Sequence, residues 1–444
     1  YVCWNSTNLL GFPWGVDMVF NSSNGLVNKL SRLDLFKAAC SLSIFLYLSM
    51  TTVVKGGFAY GIIVLWILGC YSFFSPKTRK LSGPNAFLAG AFLLYFLSAT
   101  IISLYHSDLL REYDLPIRFL LAIPVIYALR GLKINADFFW YGLTLGTILG
   151  FILVSYLRYH ISSTGDHVRI EHLGNISMIM GWMCLSGWRW AAAKNSNVLP
   201  LLILVIVAWV CGVMGSILSA TRGAWLMLPL GLLILSYDAC RYVGWSGFRS
   251  LLVITLTVTM ATFLAFEIPM VKERADRAVL DFGTIYHDGS YKGERIEDTS
   301  IGQRWLMWSN VAHMVPMKPL LGWGKRGYLE YKNYRILIGD VPAQISRYTD
   351  AHNDYLDAQV KRGLIGLLSL MSLYFVPIFF YARSFGLTSC NNIKALSLSG
   401  VMMAIGYMVS GLTCTFMTIN MDVMFYSITN VVIFSLISRT DIKA

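Results

Sequence analysis

Apolar runs of about twenty residues recur along the whole chain, and that recurrence constrains the fold more than any other feature. A run of that length spans the hydrocarbon core of a bilayer as a helix. Inside lipid a chain has to satisfy its backbone hydrogen bonds internally, so repeated runs mean a bundle of membrane helices. With 56% hydrophobic and 14% charged residues in a chain of 444, a soluble fold is excluded. The pattern predicts an all-α polytopic membrane protein of about twelve spans. They fall near 36–54, 58–75, 85–105, 116–130 (short), 137–157, 173–193, 199–219, 223–239, 250–269, 363–382, 394–413 and 420–438. This divides the chain into an N-terminal cytoplasmic or interfacial segment (1–35), nine membrane helices (36–269), one large loop with short helices (270–362), and three membrane helices with a cytoplasmic C-terminus (363–444).

Basic residues orient the bundle. Lys29, Arg32 and Lys37 precede the first span; Lys77, Arg79 and Lys80 follow the second, Arg130 and Lys133 the fourth, and Lys194 the sixth. Arg241 and Arg249, then Arg383 and Lys394, then Arg439 and Lys443 continue the series on the same side. The positive-inside rule puts that side, with both termini, in the cytoplasm. His106–Leu115, Arg158–His172, the Thr221-Arg222-Gly223 corner and the long segment from Val271 to Arg362 then face outward, with Lys292 and Lys332 expected to be accessible there. Near the N-terminus the run Leu9–Phe20 is too short to span and contains Asp17. It reads as an interfacial segment with Trp4 and Trp14 at headgroup depth, or as residues upstream of a start at Met18, and not as a cleaved signal peptide.

The net charge of +12 is dispersed between apolar spans, so it describes cytoplasmic loops and no nucleic-acid partner. Eight cysteines (Cys3, Cys40, Cys70, Cys184, Cys211, Cys240, Cys390 and Cys414) lie mostly in apolar runs without metal spacing, and none falls in the large loop. His172, His287 and His313 show no ligand spacing either, so neither a metal nor a cofactor is expected. No internal repeat of the kind on which most transporter folds are built is visible.

The stretch from Thr299 to Leu370 carries the chemistry-bearing residues. Gln303-Arg304-Trp305-Leu-Met-Trp308 opens a helical pattern, with Trp305, Trp308, Val311, Ala312 and Val315 on one face. Pro316 and Pro319 end it, and Gly322 and Gly324 permit a tight turn in Pro319-Leu-Leu-Gly322-Trp-Gly324. Asp350 is placed to cap a second helix carrying His352, Tyr355, Leu356 and Gln359, which Gly363 interrupts. Asp350, Asp354 and Asp357 surround His352 in sequence, but helical side chains one or two residues apart do not face each other, so Asp354 is not a natural local partner and any carboxylate orienting that ring is expected from elsewhere.

These motifs, in this order, resemble the bacterial O-antigen ligase/O-antigen polymerase family. The ten residues between His352 and Gly363, with a single large external loop, look most like its lipid A-core O-antigen ligases. The resemblance implies a GT-C-like glycosyltransferase in the bacterial inner membrane, with its site facing the periplasm. The implied donor is O-antigen on undecaprenyl diphosphate, and the implied acceptor is a sugar hydroxyl of lipid A-core, both within membrane lipid. Chemistry alone asks for matching groups. A diphosphate leaving group suits arginine, which offers bidentate charge that cannot be deprotonated, and a hydroxyl acceptor needs a base such as histidine.

On that basis Arg222 and Arg304 are candidates for the diphosphate and His352 for the base, although His352 could instead bind the diphosphate. Each has a plainer reading: Arg222 as a snorkelling helix-end arginine, Arg304 as a surface arginine, His352 as a packing residue. Their positions in the family's pattern favour function. Weaker candidates are Arg169, Arg277 and Arg118, the last free to pair with Asp114 or Glu112. An O-antigen polymerase, a protein O-oligosaccharyltransferase and a transporter are the alternatives. Polymerases are expected to carry two sizeable external loops, and a transporter to carry ionisable groups in mid-span.

Overall fold

The computed structural model describes residues 32–74, 81, 83–160, 167–194, 197–267, 269–287, 290–291 and 294–438. The readings of the N-terminal segment, of Lys77, Arg79 and Lys80, of Lys292, and of Arg439 and Lys443 fall outside them. Seventeen α-helices follow in order: α1 (Arg32–Met50), α2 (Phe58–Phe73), α3 (Pro84–Tyr105), α4 (Asp114–Leu129), α5 (Asp137–His160), α6 (His167–Ser186), α7 (Trp188–Ala192), α8 (Val198–Leu218) and α9 (Arg222–Trp225). Then come α10 (Met227–Val243), α11 (Gly247–Phe266), α12 (Pro269–Tyr286), α13 (Ser300–Met314), α14 (Gly324–Leu337), α15 (Asp354–Leu387), α16 (Asn391–Ser410) and α17 (Asn420–Ile437). The strands described are a two-residue antiparallel pair, Ser290–Tyr291 with Glu294–Arg295, inside the large loop.

A helix occupies each of the twelve stretches read as spans. Among the described residues eight helices are long and apolar enough to cross a bilayer. The other four stretches fall on α2, α4, α6 with α7, and α11. α2 and α4 have 16 residues each, roughly 24 Å of helix against a core of about 30 Å. The first turns of α6 carry His167, Arg169, Glu171 and His172, and in α11 the run Gly247–Thr257 is apolar but short among the described side chains.

Small residues let the spans pack closely, which is how helices associate where lipid is as apolar as leucine. Gly181 of α6 faces Gly212 of α8, and Gly69 of α2 lies against the Pro124 carbonyl of α4. On the outer side of α8, Leu199, Ile203, Ile206 and Val210 recur at helical spacing and are exposed, as a lipid-facing stripe should be.

α17 forms the axis, with 89% of its apolar window buried. Two of its polar side chains are met by tyrosines of other helices and form interhelical hydrogen bonds. Thr429 Oγ1 lies 2.7 Å from the Tyr47 hydroxyl, and the Tyr381 hydroxyl donates to Asn430 Oδ1 at 2.8 Å. Such pairing removes the penalty of polar groups within lipid.

Between the spans, α12, α13, α14 and the first nine residues of α15 form the large loop. Lys332, read as an accessible position, is in fact 1% exposed, because its stem runs inward from α14 to reach backbone carbonyls. Leu337 and Tyr286, each 85% exposed, are the better labelling sites. Cysteine at either is expected to react with an impermeant thiol reagent in intact spheroplasts. Protection of both would place the loop in the cytoplasm.

Candidate functional site

The site is assembled where α15 breaks. Gly363 has φ 64° and ψ −164°, so the helix carrying the His352 end and the membrane-spanning remainder are two rods joined at a corner. The break deprives Leu364 and Ile365 of helical acceptors, and the Pro319–Gly324 turn supplies replacements. Leu364 N donates to Pro319 O at 2.8 Å and Ile365 N to Leu320 O at 3.4 Å, while Trp323 N donates to Val360 O at 2.9 Å. The two motif glycines face one another here. A Cβ on Gly363 would stand 2.2 Å from the Leu320 backbone, and one on Gly322 would stand 2.6 Å from the backbone of Lys361 and Arg362. Both also have positive φ, so only glycine fits without strain. The two sequence motifs are thus halves of one joint.

The helix itself begins later than its sequence suggests. Its N-cap is Asn353, whose Oδ1 accepts from Tyr355 N and Leu356 N at 3.0 Å each, and not Asp350. His352 lies before the cap, in left-handed backbone with φ 48°. Because this segment is not helical, the offset argument against near neighbours does not apply, and the orienting carboxylate is local after all. His352 Nδ1 lies 2.6 Å from Asp350 Oδ1, which also accepts from His352 N at 2.9 Å. Burial alone would raise the Asp350 carboxyl. The hydrogen bonds from His352, and the charges of His352 and Lys361, outweigh burial and hold the acid well below the usual carboxylate range. An ionised Asp350 can only accept, which puts a hydrogen on Nδ1 and, in the neutral ring, the lone pair on Nε2. The Tyr348 ring stands edge-on to the imidazole at 4.9 Å.

α13 packs beside this segment. It starts at Thr299, whose side chain accepts from Gly302 N, and ends at Met314 just before Pro316. Its inward face is Met307, Asn310, Val311 and Met314, whereas Trp305 is 47% exposed and does not join Trp308 on the packed side. Trp308 Nε1 donates to the Ala351 carbonyl at 3.0 Å, one residue from His352. The Tyr348 hydroxyl donates to Gln303 Oε1 at 2.6 Å, and Arg347 Nη2 donates to the same oxygen at 2.9 Å. Arg304 therefore sits between two residues that bind the His352 segment. Its Nη1 donates to Ser300 Oγ at 2.9 Å, and its Nε has no acceptor among the described residues.

Arg222 reaches the same place by backbone. It is the first residue of α9, after a corner in which Ala220 has φ 59°, and its side chain lies outside the described structure. Next to it Gly223 packs so tightly on the connection between α16 and α17 that a Cβ would fall 1.8 Å from Thr413 Oγ1. Asn353 Nδ2 donates to the Leu412 carbonyl of that connection at 2.9 Å. Asp354 accepts from Phe416 N and Met417 N at 3.2 Å each, and its own N donates to Gly411 O. One connecting segment thus holds both the His352 helix and the Arg222 corner.

The weaker candidates separate. Arg118 Nη2 binds both oxygens of Asp114, at 3.1 and 3.0 Å. Arg277 pairs with Glu273 at 3.0 Å on an exposed helix face. The Arg169 side chain lies outside the described structure. Three residues on, His172 Nδ1 pairs with buried Asp422 Oδ2 at 2.6 Å, beneath the same connection. Its partner is 250 residues away, so no local pattern announces the pair. Among the described residues no group of three or more His, Cys, Asp or Glu could hold a metal ion.

Residues 206–371 match the O-antigen ligase family model. That segment, and with it the loop and the corner described above, is similar to the O-antigen ligases. The matched segment contains Arg222, Arg277, Arg304, His352 and Gly363, and leaves out Arg118 and Arg169. An uncharacterized protein of Haemophilus influenzae is 23% identical over 390 residues, covering 87% of this chain and 95% of that one. The described helices are those of a multi-pass membrane protein, and its segment 206–371 is similar to O-antigen ligases.

Proposed function

We propose that the protein is an O-antigen ligase of the bacterial inner membrane. It moves O-antigen polysaccharide from undecaprenyl diphosphate to a sugar hydroxyl of lipid A-core, at a periplasm-facing site, with both termini cytoplasmic and a GT-C-like arrangement of its helices. The observation that carries this reading is the His352–Asp350 pair beside the Arg304 helix, at the surface end of a membrane helix. His352 Nε2 takes the proton of the acceptor hydroxyl as its oxygen attacks the anomeric carbon of the donor. The bond from that carbon to the diphosphate oxygen breaks with its electron pair, and the polyprenyl diphosphate departs. Arg304 and Arg222 stabilise the negative charge that grows on it, where fixed cations are worth most. Asp350 keeps the ring oriented and stabilises the imidazolium once formed.

Complementation of a ligase-deficient strain tests the reading: polymer is expected on lipid A-core. Accumulation of lipid-linked polymer without transfer would remove the ligase assignment, and lengthening of lipid-linked polymer would replace it with a polymerase. Transfer by the purified protein is expected to persist in EDTA, since two or more guanidinium groups supply the charge that a divalent ion would otherwise provide. Loss restored only by one divalent ion would show that a metal bridges the diphosphate.

A further inference from the structure

The segment 345–352 has little regular structure, one 3-10 turn at Ala343–Arg347, and yet its backbone is held almost continuously. Lys332 of α14, 1% exposed, directs its ammonium at three carbonyls: Ile345 O at 3.3 Å, Ser346 O at 3.1 Å and Tyr348 O. All three ammonium hydrogens find acceptors there, without a carboxylate in contact. Lys361 of α15 takes the next carbonyl, Thr349 O at 3.1 Å, and pairs with Asp357 at 2.6 Å. Asp357 Oδ1 in turn accepts from Ala351 N at 3.1 Å. The chain from Ile345 to Ala351 is therefore strung on two lysines and one aspartate, and it ends at His352 in left-handed backbone.

A buried lysine is an expensive way to fill a core, because its charge loses solvation. Burial, and then the charge of Lys361, push the Lys332 ammonium below its ordinary value. A methionine would fill the same volume more cheaply but would leave three carbonyls without donors. The lysine is explained by what it holds.

We propose that Lys332 and Lys361 form a two-ammonium clamp that fixes the 345–352 strap, and through it the aim of the His352 imidazole, making both lysines positioning residues for glycosyl transfer. The transfer arm of this inference rests on His352 as the base; the clamp itself does not. Two measurements on the full-length protein separate them. In Lys332→Ala, amide hydrogen exchange across 345–352 rises, and methylammonium, which can enter the vacated space and donate to the carbonyls, restores protection. Tetramethylammonium, which cannot donate, leaves exchange high. In the transfer assay the same variant loses roughly 10- to 100-fold in kcat, the scale of a misplacement of about 1 Å. Its donor KM is unchanged, and methylammonium recovers the rate saturably. Lys361→Gln is expected to behave in the same direction and covers the case in which Lys332→Ala fails to accumulate. Wild-type exchange in both variants, or a raised exchange that no small ammonium ion reverses, overturns the clamp. Restored protection with wild-type kcat overturns the positioning role. Full transfer by His352→Ala would instead overturn the base assignment and leave the exchange result standing.

Discussion

Substituting alanine for His352 is expected to lower the rate of transfer ~10²–10⁴-fold, the ordinary worth of a positioned general base, while binding of the lipid-linked donor persists. Arg304→Ala is expected to do the reverse in kind, weakening donor binding along with rate. Arg304→Lys keeps the charge but loses the planar fork that grips two phosphate oxygens together, so it too should impair transfer substantially. Donor binding measured beside kcat distinguishes the roles. The structure makes the comparison clean, because the two side chains are anchored independently. His352 is held by Asp350 at 2.6 Å, and Arg304 is tied within its own helix to Ser300 at 2.9 Å. Equal loss of donor binding in His352→Ala and Arg304→Ala would move His352 into the diphosphate subsite. Normal transfer by both would make the large loop scaffold.

The bundle was legible in the sequence because hydropathy reports the one demand that lipid makes on a backbone. A helix occupies each stretch read as a span, eight of the described helices are long and apolar enough to cross a bilayer, and α2 and α4 are too short to do so unaided. Hydropathy does not report which helix is central. α17 reads as an ordinary span, yet Thr429 and Asn430 are buried against tyrosines of other helices. That placement depends on contacts from residues hundreds of positions away.

At the site, the glycines and prolines were the most readable elements. Gly322 and Gly363 mark positive φ, and their separate motifs proved to be one joint. The error lay at the helix start. Asp350 and Asn353 are both good caps, and propensity cannot choose between them. The choice decides everything nearby: a start at Asp350 would put His352 inside a helix, facing away from its neighbours, whereas the start at Asn353 turns it back toward Asp350. Lys332 was misread for the opposite reason. A lysine on a polar helix is ordinarily solvated, and only the carbonyls of a distant strap reveal its purpose.

Asp350→Asn is expected to lower kcat by roughly 10²–10⁴-fold with little change in fold, the scale seen when a histidine base loses its orienting carboxylate. The isosteric amide can donate to Nδ1, which favours the tautomer with hydrogen on Nε2, the atom that must be free to accept. The change also removes the negative charge that stabilises the imidazolium formed during transfer, which adds to the loss. Asp350 is depressed in the folded protein, because the His352 hydrogen bonds and the charges of His352 and Lys361 overcome its burial. Its contribution to stability is therefore complete above the unfolded carboxylate value of about 3.9 and is lost as pH falls through the lower folded one. Near neutral pH Asp350 therefore stays ionised. An Asp350→Asn variant with wild-type kcat would show that the 2.6 Å contact holds the loop without tuning the base.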